Sequence, residues 1–506
     1  ALITGYMKHN HNKEALSCYE QMQLKGVSPN AITYITIIKA CANLGAINKG
    51  EEIHAEISKK ASLERSLLVG SALVYMYTKC GLLEKAQKIF DNILERDVIT
   101  SNALIAGYVD HDCNNEALVC FEKMESEGLS PDPVTFSFIF KACGGIGDSD
   151  KGREMHCEVA RKGLLGKEPF LGNALIDMYV KCGMLSEAEQ VVKSLPVRDV
   201  VSWSALISGY SYSHAHAHKV FDSLDDMRRE ALSPNAITFT GIFKACGDIG
   251  NIGYGERMHD EIVKRRLLME TNDVVLGTAL VGMYVKCGEL RKAQKVLEEL
   301  PVRNTASWNA LISGYIQHWQ CHEAINCLDE MQIEGLCPDE VTFTCILKAC
   351  SGMKAIEKGI QIHHEIVSRK LLAKDVVLGT ALVDMYAKCG VMAKAQEVIE
   401  ELHVHDVVAW NALIAGYVQH GQCHEALSIF EQMQKFHEQC LPNVITFVCI
   451  LMACGNIGAI ENGKQIHDEI VSRKLLDTDI ILGTALVDMY AKCGVLTKAK
   501  EVLEAL

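Results

Sequence analysis

One short pattern recurs along the chain at a spacing of about one hundred residues, a regularity that marks a repeat array. The pattern is Met-Tyr-x-Lys-Cys-Gly, and its five cysteines are Cys80, Cys182, Cys287, Cys389 and Cys493. A chain that repeats itself in this way folds as copies of one supersecondary element that stack on each other, not as a set of unlike domains. Function is therefore expected in the positions that vary between copies.

The composition fits a long apolar core built from uninterrupted helices. Hydrophobic residues make up 49% of the 506 residues, and only 9 residues are proline. The 21 cysteines recur at fixed places, which indicates small buried side chains in a reducing compartment rather than a disulfide framework. No apolar run of about 18 residues occurs, so no membrane span is expected.

The formal net charge of −14 argues against a general nucleic-acid binder, because such proteins are usually basic. It leaves room for a locally positive groove, since the surface field depends on where the charges lie. The chain begins and ends in the middle of a repeat, so we expect it to be a fragment of a longer protein.

Three types of unit alternate along a predicted continuous array over residues 1–506, with partial units at residues 1–30 and 480–506. The whole units are predicted at residues 31–66, 67–97, 98–132, 133–168, 169–199, 200–235, 236–273, 274–304, 305–339, 340–375, 376–406, 407–443 and 444–479.

Each unit is predicted to contain two helices. Leu382, Met385 and Tyr386 share one helical face, a Cys-Gly pair then interrupts the pattern, and Ala395 and Ile399 belong to a second apolar stripe. A single helix pair cannot bury its apolar face alone, so neighbouring pairs must stack. The predicted fold is all-α, a right-handed superhelical solenoid of helix-turn-helix repeats.

The recurring phrases resemble those of pentatricopeptide repeats. Besides Met-Tyr-x-Lys-Cys-Gly they include Lys-Ala-Cys and a Gly-Tyr pair whose glycines are Gly5, Gly107, Gly209, Gly314 and Gly416. The three alternating unit lengths are similar to those of the plant organellar PLS subclass, which combines standard, long and short repeats. Tetratricopeptide repeats differ, because they have a regular period of about 34 residues and a different pattern of tryptophan, glycine and tyrosine.

The resemblance implies binding of single-stranded RNA, with one base read by two or three side chains of each repeat. In the family, one reader lies early in the first helix, the other is the last residue of the unit, and an aliphatic residue three positions before the early reader packs against the base. Residues i and i+3 share a helix face, so these side chains point into one groove. The packing residues implied here are Leu68, Ile99, Phe170, Val201, Val275, Ala306, Val377 and Val408.

The resemblance also implies a base for each reader pair. A carboxylate only accepts hydrogen bonds and suits the N–H groups of U and G, whereas Asn can donate and suits A or C. The family associates an early Asn with pyrimidines and an early Ser or Thr with purines. The assignments are G for Ser71 with Asp97, U for Asn102 with Asp132, U for Asn173 with Asp199, A for Ser204 with Asn235, A for Thr278 with Asn304, U for Asn309 with Asp339, G for Thr380 with Asp406, and C, or less well U, for Asn411 with Asn443.

The long units depart from this code, because Ile35 and Val448 stand at two of their early positions and cannot hydrogen-bond a base. With the long units unassigned and the N-terminus at the RNA 5′ end, the implied target is 5′-GUnUAnAUnGCn. Ala306 covers less of a base than the other packing residues, so its unit is expected to hold its U more weakly.

Structural readings of the same residues stay open at this point. Asp, Asn, Ser and Thr are also favoured at helix caps and turns. A His-x-Glu string recurs at five equivalent positions, beginning with His54, and matches part of a zinc-deaminase signature. Because no Cys-x-x-Cys occurs to complete the zinc site, these histidines are expected to be structural.

Two further groups of residues have alternative readings. A loop could gather His214, His216 and His218 around a metal ion, although alternate spacing on a helix would separate them, and no metal site is predicted. The lysines of the Lys-Ala-Cys phrase could contact phosphate or be merely solvated; they are Lys39, Lys141, Lys244 and Lys348.

The function implied by the resemblance is that of an RNA adaptor in a mitochondrion or chloroplast, acting as the site-recognition part of C-to-U RNA editing. A deaminase or editing-factor protein is the implied partner, either C-terminal to this fragment or as a separate protein. The chain itself is expected to have no catalytic activity and no cofactor. The alternative is a protein-binding helical scaffold, for which the acidic charge balance argues mildly.

Overall fold

The computed structural model describes residues 2–59, 66–268, 273–372, 375–402, 406–435, 440–476 and 479–505. These residues form α-helices, one short 3-10 helix and connecting turns, and no strand occurs among them. The predicted all-α class is therefore confirmed. Contacts divide the chain into an N-terminal body, residues 1–245, and a C-terminal body, residues 246–506.

The helices come in consecutive pairs, so that odd-numbered helices are the first and even-numbered helices the second of each hairpin. Those that begin in the N-terminal body are α1 Leu2–Lys8, α2 Asn12–Leu24, α3 Ala31–Leu44, α4 Ile47–Ser58, α5 Leu67–Lys79, α6 Leu83–Asn92, α7 Val98–Asp110, α8 Asn114–Ser126, α9 Pro133–Ile146, α10 Ser149–Arg161, α11 Pro169–Lys181, α12 Leu185–Ser194, α13 Val200–Ser211, α14 Ala217–Arg229 and α15 Ala236–Ile249. The 3-10 helix His214–His216 precedes α14.

The C-terminal body continues the same alternation. Its helices are α16 Ile252–Lys264, α17 Val274–Lys286, α18 Leu290–Glu299, α19 Thr305–Gln317, α20 Cys321–Ile333, α21 Glu340–Met353, α22 Ile356–Ser368, α23 Val376–Lys388, α24 Met392–Glu401, α25 Val407–Gln419, α26 Cys423–Gln434, α27 Val444–Ile457, α28 Ile460–Ser472, α29 Ile480–Lys492 and α30 Leu496–Ala505.

Glycine ends many first helices and allows the chain to turn into the second helix. In the Cys-Gly pair after α23, Gly390 has a φ of +80°, in the left-handed region that suits glycine. The turn between α19 and α20 places Trp319 in the same region, with a φ of +60°. A bulky residue is strained there, so the turn is held by the two helices and not by the local preference of the residue.

The core lies between the helices of each hairpin and between successive first helices. Leu382, Met385 and Tyr386 of α23 are at most 1% exposed, and Ala395 and Ile399 of α24 are buried beside them. α23 packs on its own second helix and on the first helices α21 and α25 of the adjoining hairpins. Stacking thus removes from water the apolar stripe that a lone hairpin would expose.

Cysteine serves as a small buried side chain in this packing. Each of the 21 cysteines is free. Burial raises the pKa values of Cys143 and Cys454 to about 12, so these thiols stay protonated and unreactive at neutral pH. The Cys182 thiol lies 3.9 Å from the carbonyl oxygen of Cys143, which links α11 to α9.

A histidine–tyrosine contact joins the second helix of one hairpin to the first helix of the next. His363 Nδ1 of α22 shares a hydrogen bond of 2.9 Å with the Tyr386 hydroxyl of α23. The same contact, between 2.8 and 2.9 Å, recurs at His54 with Tyr77, His156 with Tyr179, His259 with Tyr284, and His467 with Tyr490. These are the histidines of the His-x-Glu strings, and in this structure they have a packing role.

Substitution of two helical glycines should change stability in opposite directions. A Cβ added at Gly416 would lie 2.7 Å from the Cβ of buried Ala387, too close without a backbone shift. Gly416→Ala is expected to destabilise the protein by about 1–3 kcal/mol through overpacking. At Gly282, inside α17, no atom lies within 4 Å of an added Cβ. Gly282→Ala is expected to stabilise by about 1 kcal/mol because alanine favours the helix.

The measurement is the urea midpoint of each variant, followed by circular dichroism. An unchanged or higher midpoint for Gly416→Ala would contradict the close approach of α25 to α23, and Gly282→Ala serves as the matched control for glycine replacement in a first helix.

The histidine–tyrosine contacts should make stability fall in mild acid. Burial lowers the pKa of His363 below its usual value, and its Nε2 atom is buried without a hydrogen-bond partner, so a second proton there would be unsatisfied. Burial likewise lowers the pKa of His156. A group whose pKa is lower in the folded state contributes stability above its unfolded pKa of about 6.5, and that stability is lost as the pH falls toward the folded value.

We expect the urea midpoint of the wild type to decrease between pH 7.5 and pH 5.5, and His363→Gln to reduce that decrease. His364→Gln is the control, because His364 is the exposed neighbour of His363 on the same helix. If the urea midpoint falls equally with pH in the wild type and in His363→Gln, this histidine is not held neutral by burial.

Candidate functional site

In most predicted units the side chain of the last residue caps the first helix of the next hairpin; Ser66 and Glu168 form no such bond. Asp132 Oδ1 accepts a hydrogen bond of 2.7 Å from the backbone N–H of Thr135, and the Thr135 hydroxyl accepts one from the backbone of Asp132, which completes a capping box. The hydrogen bond from the backbone N–H of the third helical residue to the side chain of the last unit residue, between 2.8 and 3.1 Å, recurs at Asp97, Asp199, Asn235, Asn304, Asp339 and Asn443. Asp406 differs, since among the described residues its side chain accepts a hydrogen bond only from the backbone N–H of Val408, at 3.3 Å.

Five of the eight predicted reader pairs are joined by a direct hydrogen bond between adjacent hairpins. Asn102 Nδ2 of α7 donates to Asp132 Oδ1 at 3.1 Å. The others are Asn309 to Asp339 at 3.0 Å, Asn411 to Asn443 at 3.0 Å, Asn173 to Asp199 at 3.2 Å, and Ser204 to Asn235 at 3.1 Å. The structure therefore brings together residues that lie about 26 to 32 positions apart in the sequence.

The other three pairs are arranged differently. Ser71 is linked to Asp97 through the Thr100 hydroxyl, which lies 2.5 Å from the Ser71 hydroxyl and donates to Asp97 Oδ1 at 2.6 Å. The hydroxyls of Thr278 and Thr380 donate to backbone carbonyls one turn earlier in their own helices, at 2.8 and 3.0 Å. Within the described residues, neither threonine bonds to the last residue of its unit.

Two of the terminal carboxylates are held in their ionised form. Burial by itself would raise the pKa of Asp339, but hydrogen bonds from Thr342 and Asn309 outweigh it and lower the pKa. The same balance lowers the pKa of Asp199, where the donors are Ser202 and Asn173. These side chains are therefore acceptors at neutral pH, and a partner must offer them an N–H or O–H group.

A large apolar side chain is exposed at the second position of nearly every first helix. These side chains are between 42% and 73% exposed and stand three residues before the early reader position; they are Ile32, Leu68, Ile99, Val134, Phe170, Val201, Ile237, Val275, Val341, Val377, Val408, Ile445 and Ile481. Ala306, also exposed, occupies the place in α19. The set includes the predicted packing residues other than Ala306 and, in addition, residues of the predicted long units, to which the sequence analysis assigned no base.

A hollow in the N-terminal body shows how these groups meet. It has a volume of about 430 Å³ and is lined by Leu68 and Ile99 from successive predicted units, together with Ser71, Asp97 and Lys39 of α3. This volume lies within the range of about 300–1,000 Å³ that is typical of small-molecule sites. An aromatic ring in the hollow would contact both apolar side chains and the polar pair.

The lysines of the two recurring phrases, Lys-Ala-Cys and Lys-Cys-Gly, differ in their ion pairs. In the described part of the chain, Lys39, Lys141 and Lys348 form no ion pair. The lysines of the Lys-Cys-Gly phrase are paired with acidic residues, for example Lys79 with Asp110 at 3.0 Å and Lys388 with Asp384 at 2.9 Å. Lys39 and its two equivalents are therefore candidates for contact with a phosphate.

The described residues contain no group of three or more His, Cys, Asp and Glu side chains arranged to hold a metal ion. His214 and His216 lie in the 3-10 helix and His218 lies in α14, so the tract is spread over two elements. His216 Nδ1 shares a hydrogen bond of 2.9 Å with the Ser213 hydroxyl. In the part of the chain that the structure covers, none of the helices has both the length and the hydrophobicity for a membrane crossing.

The sequence reading missed one residue that touches several reader pairs, the third residue of the following helix. Thr135 donates to Asn102 Oδ1 at 2.7 Å, in addition to its role in the cap. A sequence signal for it exists, because Asp or Asn followed three positions later by Thr or Ser is the signature of a capping box.

Comparison with known proteins gives one consistent result. The sequence matches the PPR repeat family over residues 1–43, 96–145, 198–248, 303–352 and 405–456, and the PPR repeat over residues 71–98, 173–200 and 278–304. Together these matches cover more than half of the chain.

Curated relatives from Arabidopsis thaliana are similar along the whole chain. Pentatricopeptide repeat-containing protein At5g27110 is 32% identical over 100% of this chain and 72% of its own length. Two others are named mitochondrial (At3g02330, 31% identical over 99% of this chain) and chloroplastic (At1g15510, 30% over 97%). The chain spans 57% and 56% of the length of these two relatives.

Solved structures with a similar fold include the pentatricopeptide repeat protein PPR10 from maize. The TM-score is 0.65 at 18% sequence identity, covering 98% of this chain and 76% of that one. PPR10 in complex with an 18-nt psaJ RNA element gives a TM-score of 0.54, also at 18% identity, over 100% of this chain and 78% of that one. At this identity the likeness shows a common helical-repeat fold.

Proposed function

Because the chain belongs to the pentatricopeptide repeat family and is homologous to organellar members of plant type, we propose that it binds single-stranded RNA in a sequence-specific manner. The observation that carries the proposal is the exposed apolar side chain at the second position of the first helices, three residues before a variable polar group. Repeated exposure of large apolar side chains marks a binding surface. A nucleobase matches it, since its faces are apolar and its edge carries hydrogen-bonding groups.

The hollow between Leu68 and Ile99 supports one base per unit. A base stacked between the two side chains would direct its edge to Ser71 and Asp97. Asp97 Oδ1 already accepts from Thr100, so the second carboxylate oxygen is the one that can accept from the base. A guanine offers adjacent N–H groups to such an acceptor, which agrees with the G assigned to this unit.

The full proposed target is 5′-GUnUAnAUnGCn, with the eight assigned bases read by the pairs named above. Lys39, Lys141 and Lys348 would contact phosphates, which lets a chain of net charge −14 attract RNA locally. The division into alternating standard, long and short units, and thus membership of the PLS subclass, is part of the same proposal, as is the continuity of the array over residues 1–506.

The biological role that fits this activity is site recognition for C-to-U editing in a mitochondrion or chloroplast. The names of the relatives support an organellar location. Binding is the contribution of this chain, and a deaminase or editing-factor protein would supply the chemistry. The competing function, a protein-binding scaffold, predicts no preference among RNA sequences.

Binding across salt concentrations tests the proposal. The predicted RNA is expected to bind more tightly than a shuffled RNA of the same composition, and log K should fall linearly with log salt, with a slope of about −0.7 per phosphate contact. Lys39→Ala should weaken the binding of both RNAs by the same factor. Fluorescence anisotropy measures all three quantities, and equal, negligible binding of both RNAs would favour the scaffold.

The identity of residue 97, the last residue of its unit, should decide whether G or A is preferred at the first position of the target. Asp97→Asn keeps the cap, because Asn and Asp cap helices equally well, but it adds an N–H donor. The preference at the first position of the target is expected to move from G toward A. Competition between RNAs that differ only at this nucleotide measures the change.

Asp375→Asn provides the control for that exchange. Asp375 caps α23 through Val377, at 2.8 Å, at the end of a long unit that has no assigned base. Its substitution is expected to leave all base preferences unchanged. The assignment of Asp97 is wrong if G remains preferred at the first position in Asp97→Asn.

A further inference from the structure

Three reader pairs contain a third side chain that is buried beneath them. Thr135, at the third position of α9, is 0% exposed and donates its hydroxyl to Asn102 Oδ1 at 2.7 Å. The same bond is formed by Thr342 to Asn309 and by Thr446 to Asn411, at 2.6 Å each. In all three cases the Asn Nδ2 donates to the last residue of the unit, at 3.0 to 3.1 Å.

This arrangement fixes the orientation of the asparagine amide. An amide has an acceptor on one side and a donor on the other, and rotation by half a turn exchanges them. Rotation of Asn102 would point its oxygen at the Asp132 carboxylate and its NH₂ at a hydroxyl that already accepts from the Asp132 backbone. The threonine and the carboxylate therefore hold the amide from both sides, and the second N–H of Nδ2 is the group left for a base.

Another pair has the same two readers but lacks this contact. Asn173 and Asp199 are again Asn with Asp, yet Ser202 donates to Asp199 at 2.7 Å and forms no bond to Asn173. Asn173 Oδ1 is buried without a hydrogen-bond partner, and its Nδ2 lies 3.2 and 3.4 Å from the two carboxylate oxygens. This amide is held from one side only.

We propose that the threonine at the third position of the following helix is a positioning residue for base recognition: Thr135, Thr342 and Thr446 orient the asparagines that contact the base. This inference rests on the proposed RNA binding and adds a third determinant to it. Units with identical reader pairs then differ in how strongly they prefer U over C. The pairs Asn102/Asp132 and Asn309/Asp339 select U more strictly than Asn173/Asp199 does.

The test uses RNAs based on 5′-GUnUAnAUnGCn with U or C at the second, fourth or eighth position, which face these three units. In the wild type, the ratio of the dissociation constants for C and U is expected to be about threefold to tenfold larger at the second and eighth positions than at the fourth, the effect of about one hydrogen bond. Thr135→Val should lower the ratio at the second position to that of the fourth and leave the eighth unchanged. Thr342→Val should lower the ratio at the eighth position to that of the fourth and leave the ratio at the second position unchanged.

Ser202→Ala is the matched control, because it also removes a hydroxyl from a capping box but one without a bond to the asparagine. It should lower the melting temperature about as much as Thr135→Val and leave the ratio at the fourth position unchanged. If Thr135→Val weakens the binding of the U and C RNAs by the same factor, the threonine is only a helix cap and the inference is wrong. If the wild type prefers no base at any of the three positions, sequence-specific binding itself fails.

Discussion

The fold and the candidate site depend on the same atoms, the side-chain oxygens at the junction of two hairpins. Asp132 Oδ1 accepts from the backbone N–H of Thr135, near the start of α9, and from the amide of Asn102, which belongs to the hairpin before it. One oxygen thus begins a helix and ties two successive first helices together. Because this junction recurs, most of the units place a polar pair near a first helix whose second residue is an exposed apolar side chain.

Much of this architecture could be predicted from the sequence, because it depends on local periodicity. The burial of Leu382 and Met385 follows from their spacing on one helical face, and the end of that helix follows from the Cys-Gly pair. The structural reading of the terminal Asp and Asn as caps was also open from the sequence, and the structure shows that they do cap helices. A cap that uses one side-chain oxygen leaves the other oxygen or the amide nitrogen available, so the observed caps are compatible with the proposed base recognition.

The contacts within the candidate site could not be predicted in the same way. Whether Asn173 reaches Ser202 depends on how far α11 lies from α13, which is set by the packing of these two adjacent hairpins on each other and not by either residue alone. The buried threonines went unnoticed because a threonine near a helix start is explained by the cap alone. The exposed Ile237 and Val341 of the long units were left out because their units did not fit a pairing rule, although their exposure equals that of the assigned residues.

The proposed double duty of the terminal residue, as helix cap and as base contact, has a consequence for how such a chain can change over generations. Aspartate and asparagine start a helix about equally well, so their exchange alters the hydrogen-bonding character at the junction at almost no thermodynamic expense. Selection can therefore act on ligand preference at each junction separately, while foldability is conserved by the same two amino acids. An array built on this principle is free to diversify without first acquiring compensating mutations elsewhere.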